Sequence, residues 1–245
     1  AIGEAFYNIL NDRSDIAITG GSEAALTPIG LASFCALKSL STRNDAPQKA
    51  SRPFDKDRDG FVLSEGAAIL VLEEYEHAKK RGARIYAEVL GYGGTGDGHH
   101  ITAPLADGSG GAEAMRVALR QAKLNPDQID YINAHGTSTQ LNDAAESIAV
   151  KSVFGSHAYK LAVSSTKSCL GHTLGASGAI ELLVTAKTIE SGIIHPTANL
   201  ESVDPECDTN MDYVPGSARK ANVRYALSNS LGFGGHNCAL IIGKI

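Results

Sequence analysis

Three segments of this chain set polar, titratable side chains directly after an apolar run and between glycines. The first is Asn133-Ala134-His135-Gly136-Thr137-Ser138-Thr139. The second runs Ser164-Ser165-Thr166-Lys167-Ser168-Cys169-Leu170-Gly171-His172-Thr173-Leu174-Gly175-Ala176. The third is Asn229-Ser230-Leu231-Gly232-Phe233-Gly234-Gly235-His236-Asn237. Two imidazoles and an ammonium group can supply hydrogen-bond donors and positive charge to an oxygen on which negative charge develops. A Gly-Phe-Gly-Gly turn exposes backbone N–H groups and carries an aromatic ring free to swing. Taken singly, these residues have ordinary readings: a structural histidine, a surface lysine, a core phenylalanine. Their recurrence in three matching contexts favours the chemical reading.

Those loops need a scaffold, and the pattern supplies one. Ile2, Phe6, Ile9 and Leu10 recur at helical spacing near the start. Asp15 to Thr19 reads as a short buried strand ended by Gly20-Gly21, and residues 22–60 as short helices and loops. The run 60–72 reads as a strand buried on both faces, because its end, Ala67 to Leu72, is continuously apolar. Glu73 to Lys80 is a charged helix stopped by Gly82. Further strands are expected at 86–90, 129–134, 161–165, 223–231 and 236–242. Helices are expected at 111–123, about 143–153 and 175–191, the last ended by Gly192. Asp143 and Glu146 resemble a capping box for the second of these. Strands alternating with helices give an α/β fold, in which sites form in the loops beyond strand ends. The Ala-rich helices at 1–11 and 176–191 both read as interior, and their likeness is a weak hint of duplication.

Three tempting motifs fail on context. Gly91-Tyr92-Gly93-Gly94-Thr95-Gly96 matches a dinucleotide fingerprint, but no helix opens after it, so it reads as a glycine-rich strand exit. Asp55-Lys56-Asp57-Arg58-Asp59-Gly60 copies half of a calcium loop, yet position twelve is Gly66, and a charged turn is the better reading. The adjacent His99 and His100 point apart on an extended chain and make a poor metal pair.

Composition narrows the class further. Lys+Arg total 22 and Asp+Glu 27, a net charge of −5, which disfavours broad nucleic-acid binding. No apolar run reaches the ~20 residues that a membrane span requires. Cys35, Cys169, Cys207 and Cys238 form no CxxC pair, and in a chain this long they read as reduced thiols.

Together the three segments resemble the histidine, lysine–histidine and phenylalanine loops of the β-ketoacyl-acyl-carrier-protein synthases, in the right order. Ser51-Arg52-Pro53-Phe54-Asp55 and Gly60 through Ala67 are also similar to that family, as is the whole chain. The likeness is nearest to elongating type II synthases, with polyketide ketosynthase modules sharing the motifs. It implies a thiolase-like fold of layers α-β-α-β-α, with residues 1–82 from its N-terminal half and 83–245 forming its C-terminal half. It implies a decarboxylative Claisen condensation of malonyl-acyl carrier protein with an enzyme-bound acyl thioester, in fatty acid elongation. By carry-over, His135 and His172 would hold the malonyl thioester oxygen, Lys167 would organise the site, and Glu181 would partner the lysine. Phe233 would contribute to the oxyanion hole and gate the acyl pocket, with Gly234 beside it. Thr137, Thr139 and Thr102 would bind the phosphopantetheine arm.

The family's nucleophilic cysteine and first strands are expected before Ala1, and none of the four cysteines matches that position. Cys169 corresponds to a packing residue, and Cys238 reads as strand core. No cofactor is implied beyond the phosphopantetheine carried by acyl carrier protein. The resemblance implies a homodimer with strand 15–19 near its interface, no nucleic-acid partner, and a cytoplasmic, plastid or mitochondrial-matrix setting. Acyl carrier protein, being acidic, would dock on a local basic patch, with Arg52, Lys56, Arg58 and Lys38 as candidates. A non-catalytic chain-length-factor-like partner would not need both histidines and the lysine. A thiolase using coenzyme A is disfavoured by the same loops.

Overall fold

In the computed structural model, which describes residues 1–245, a five-stranded mixed sheet forms the centre. The chain first runs through α1 (Ile2–Leu10), β1 (Ile16–Glu23), α2 (Pro28–Ala36), β2 (Gly66–Glu73) and α3 (Tyr75–Lys80). It continues through β3 (Glu88–Gly96), α4 (Ser109–Ala122), β4 (Tyr131–Asn133), α5 (Gln140–Phe154), β5 (Ala162–Ser164), α6 (Lys167–Leu170) and α7 (Ser177–Ser191). The short pair β6 (Ile193–Ile194) and β7 (Arg219–Lys220) precedes β8 (Tyr225–Gly232) and β9 (His236–Gly243).

The main sheet has the order β3-β9-β8-β4-β5. β4 pairs in parallel with both β5 and β8, while β9 runs antiparallel to β8 and β3. The C-terminal ends of β3, β4, β5 and β8 therefore share one edge. That edge carries Asp97 onward, the His135 loop, the Lys167 helix and the Phe233 turn, as the rule for parallel strands requires.

Alternation along the strands divides the core in two. Ile132, Val163, Leu227 and Ile241 face α4 and α5. Tyr131, Ala162, Ala226 and Ile242 face α7, which also meets Ala68 of the β1–β2 ribbon. Helix α7 is thus an interior layer, and its Ala and Gly residues suit that position. The helix–sheet–helix–sheet order of layers matches the expected thiolase-like α/β fold.

The structure corrects several expectations. Gly20 and Gly21 do not end β1, which pairs with β2 through Glu23. β2 is not buried on both faces: Ile69 and Val71 are exposed, as are Ile16 and Ile18 on β1. Its apolar run reads the same whichever face is covered. Gly91 to Gly96 lie inside β3 rather than beyond it. Glycine is needed there because a Cβ on Gly93 would stand 1.9 Å from the Ala114 carbonyl oxygen of α4.

Candidate active site

The His135 loop is held by backbone donors that converge on two buried carboxylates. Glu146 accepts the His135 and Gly136 N–H groups, each at 2.8 Å, and the Asn229 amide at 3.2 Å. Asp143 accepts the N–H groups of Thr137 at 3.0 Å, Ser138 at 3.1 Å and Phe54 at 2.9 Å. Burial pushes both carboxyls up, against the hydrogen bonds that stabilise their ionised forms. Asp143 and Glu146 were expected to cap α5. Instead Thr139 begins the helix, and both acids lie within it. A capping box and a loop anchor use the same acid spacing; only the backbone path separates them.

The segment resembling a calcium loop is a second clamp on that loop. Asp55 is buried and accepts the N–H groups of Asp57, Glu201 and Ser202. Arg58 is buried too, donating to the carbonyls of Thr139 at 3.1 Å and Gln140 at 2.8 Å. Arg52 pairs with Asp55 at 3.1 Å, and its N–H reaches Ser138 Oγ at 3.0 Å. The charged turn is thus half turned inward: Asp55 and Arg58 are buried, while Lys56, Asp57 and Asp59 face solvent. Arg52 and Arg58 are consequently unavailable to an acidic partner, while Lys38 and Lys56 remain exposed.

His172 is placed from the opposite side. Its N–H donates to the Val62 carbonyl at 2.7 Å, its carbonyl accepts from Ser64, and the Phe61 ring meets it edge-on at 5.1 Å. The two imidazoles stand 5.4 Å apart, nearly perpendicular.

Lys167 is fully buried behind them. Its Nζ donates to the His135 carbonyl at 2.7 Å, lies 3.1 Å from His135 Nδ1, and forms an ion pair with Glu181. An ammonium can only donate, so His135 Nδ1 is the acceptor and the ring proton sits on Nε2. His172 Nδ1 accepts the Leu174 N–H at 3.1 Å, which fixes the same tautomer. Burial, then Lys167, holds the His135 imidazole well below its usual range; the same causes bring His172 down to about 2. Burial raises Glu181 to about 7, with the Lys167 contact pulling the other way. Both imidazoles are therefore neutral donors through Nε2.

A cavity of about 410 Å³ opens at this edge, lined by His135, His172, Thr102, Thr137, Thr139 and Phe233. Thr137 and Thr139 hydroxyls are 2.9 Å apart. Phe233 is 50% exposed at the cavity mouth. Lys167 and Glu181 do not line the cavity; they act on it through His135. Gly234 does not line it either, and its N–H is taken by the Ile101 carbonyl at 2.8 Å. Its contribution is the left-handed turn, φ 80°, that presents Phe233. Among the cysteines, all free, Cys207 is buried and pushed up to about 12 by that burial. Cys169 is exposed rather than packed, and Cys238 is a cavity-wall residue rather than closed strand core. The arrangement puts two neutral N–H donors at one cavity, backed by a buried cation.

Comparison with known proteins gives the chain's relatives. Residues 1–78 match the N-terminal domain model of β-ketoacyl synthases, and residues 86–201 match the C-terminal domain model. The 3-oxoacyl-[acyl-carrier-protein] synthase 2 of Synechocystis is 54% identical over 244 residues, and that of Coxiella burnetii 51%. All of this chain aligns with each, and it spans 58% of their length. A solved ketosynthase, in complex with its type II polyketide acyl carrier protein and bound to the hexaketide, superposes with a TM-score of 0.97. It is 42% identical, over all of this chain and 60% of its own. A β-ketoacyl synthase from Burkholderia phymatum gives 0.95 at 47% identity, over all of this chain and 58% of its own. The chain belongs to the β-ketoacyl synthase family.

Proposed function

We propose that this cavity carries out the malonyl half of a decarboxylative Claisen condensation in fatty acid elongation. The observation that carries the reading is the pair of neutral imidazoles, His135 and His172, both fixed as Nε2–H donors at one cavity. The thioester oxygen of a malonyl group accepts from both. The bond from the malonyl carboxylate to its neighbouring carbon breaks, carbon dioxide leaves, and the electron pair becomes an enolate held by the two donors. The enolate carbon attacks an enzyme-bound acyl thioester, whose carbon–sulfur bond breaks to release thiolate. Lys167 supplies fixed positive charge behind His135, and Glu181 holds the lysine. The Phe233 ring gates the acyl side.

Thr102, Thr137 and Thr139 line the path suited to a phosphopantetheine arm, so the substrate arrives on acyl carrier protein and no further cofactor is required. Lys38 and Lys56 are the candidate contacts for that acidic partner. The exposed apolar row on β1, with Ile18 at 78%, supports a homodimer through that ribbon. Residues 1–82 and 83–245 are read as parts of the two thiolase-like halves, and the setting as the cytoplasm or a plastid or mitochondrial matrix. Polyketide extension is the second reading, favoured by the likeness to the solved type II ketosynthase.

Carbon dioxide release from malonyl-acyl carrier protein, measured in the full-length polypeptide, tests the proposal. His135→Ala and His172→Ala are expected each to abolish most of it. Undiminished release in both variants overturns the assigned roles. Competition between a saturated acyl and a polyketide acyl donor separates the two readings.

A further inference from the structure

A second polar cluster, buried hydroxyls around the half-buried His195, adjoins the site and has no role in the chemistry above. His195 follows β6, and its Nδ1 lies 3.0 Å from the Pro196 carbonyl oxygen. A carbonyl only accepts, so the ring proton is on Nδ1 and Nε2 carries a lone pair. Three hydroxyls converge on that lone pair: Tyr131 and Thr166 at 3.1 Å each, and Ser164 at 3.4 Å. Burial, opposed only by the Pro196 contact, disfavours protonation of the ring.

The network leads to Lys167, Glu181 and the loop of His135. Thr166 immediately precedes Lys167, and its hydroxyl accepts from Asn133 Nδ2 at 2.9 Å. Asn133 stands two residues before His135. The same amide reaches the Glu181 carbonyl at 3.1 Å and Thr185 Oγ1 at 3.2 Å. None of His195, Asn133 or Thr166 lines the cavity. The single proton of the Thr166 hydroxyl has a second acceptor in Asn133 Oδ1, also at 3.1 Å, so without the His195 lone pair it turns to Asn133, and a misplaced group near reacting atoms costs rate steeply.

We propose that His195 is a positioning residue: its Nε2 lone pair fixes the Thr166 hydroxyl and, through Thr166 and Asn133, sets where Lys167 Nζ and the His135 ring stand. The kinetic part of this inference rests on the proposed decarboxylation; the positional part does not. Two variants in the full-length polypeptide separate the acceptor from the bulk. His195→Phe keeps a ring without an acceptor, and His195→Gln keeps an acceptor oxygen.

With malonyl-acyl carrier protein, His195→Phe is expected to lower kcat about tenfold, the rate equivalent of one hydrogen bond, with KM within about twofold. His195→Gln is expected to recover most of the loss. In nitrogen-15 spectra, the His135 Nδ1 resonance shifts in His195→Phe and returns in His195→Gln. Unchanged kcat with an unshifted resonance overturns the proposal, as does an equal loss in both variants that tracks their melting temperatures. If the unmodified protein releases no carbon dioxide, the functional reading fails separately. The His135 resonance then decides the positional claim alone, its shift supporting it and its constancy overturning it.

Discussion

The ammonium of Lys167 stands 3.1 Å from Nδ1 of His135, and this contact decides which face of the imidazole can donate. Lys167 is buried and its counter-charge is Glu181. Removing the lysine leaves a carboxyl that burial has already raised to about 7, so at higher pH a charge is stranded, at a cost of about 3–5 kcal/mol. Lys167→Met is therefore expected to destabilise strongly, and Lys167→Met with Glu181→Gln to be more stable than Lys167→Met alone. Urea unfolding of the single and double variants checks this.

Glu146 holds two consecutive N–H groups of the histidine loop at 2.8 Å each. Glu146→Ala leaves both donors buried and unpaired, at about 2–4 kcal/mol. Because the loop carries His135, decarboxylation is expected to fall even at temperatures where the variant stays folded. Rates measured well below its melting temperature separate the two effects.

Phe233 and Gly235 occupy one turn and carry opposite expectations. The half-exposed Phe233 contributes little to the core, so Phe233→Ala changes stability by about 0.5 kcal/mol or less. It is nevertheless expected to slow condensation. Gly235 has φ 74°, and a Cβ there would stand 2.7 Å from Asp97 Cβ. Gly235→Ala costs at least about 1–2 kcal/mol from the left-handed backbone alone. Thermal unfolding of both variants, beside a condensation assay, checks the contrast.

The imidazoles also set a pH dependence. His172 falls from 6.5 to about 2 on folding, so between those values the unfolded chain binds more protons. The stability this group contributes is present above pH 6.5 and is lost as pH falls, by about 1.4 kcal/mol per unit. Glu181, raised from 4.5 to about 7, works the other way: its contribution is present below pH 4.5 and is lost as pH rises through 7. His172→Gln is therefore expected to lose less stability than the unmodified protein between pH 6 and 5, by about 1 kcal/mol. Denaturant midpoints at the two pH values give the comparison.

The sequence alone pointed to the candidate residues that meet at the cavity and to the strand–helix order that presents them. His135, His172, Phe233 and the three threonines lie in short connecting segments, and Lys167 opens the one-turn helix α6. That local pattern survives without knowledge of neighbours. The fold class followed for the same reason, since period and punctuation are local. What tertiary structure decided was burial and partnership. Asp55 and Arg58 read as part of a charged turn, and their inward partners at Thr139 and Ser202 are brought in from more than 80 residues away. Asp143 and Glu146 have the spacing of a cap, and only the chain's return path makes them anchors for the histidine loop. The tautomers of His135 and His172 depend on one ammonium and one backbone N–H, contacts that no linear pattern encodes. Side-chain type is written residue by residue, but a proton's position is set by whatever the fold places three ångströms away.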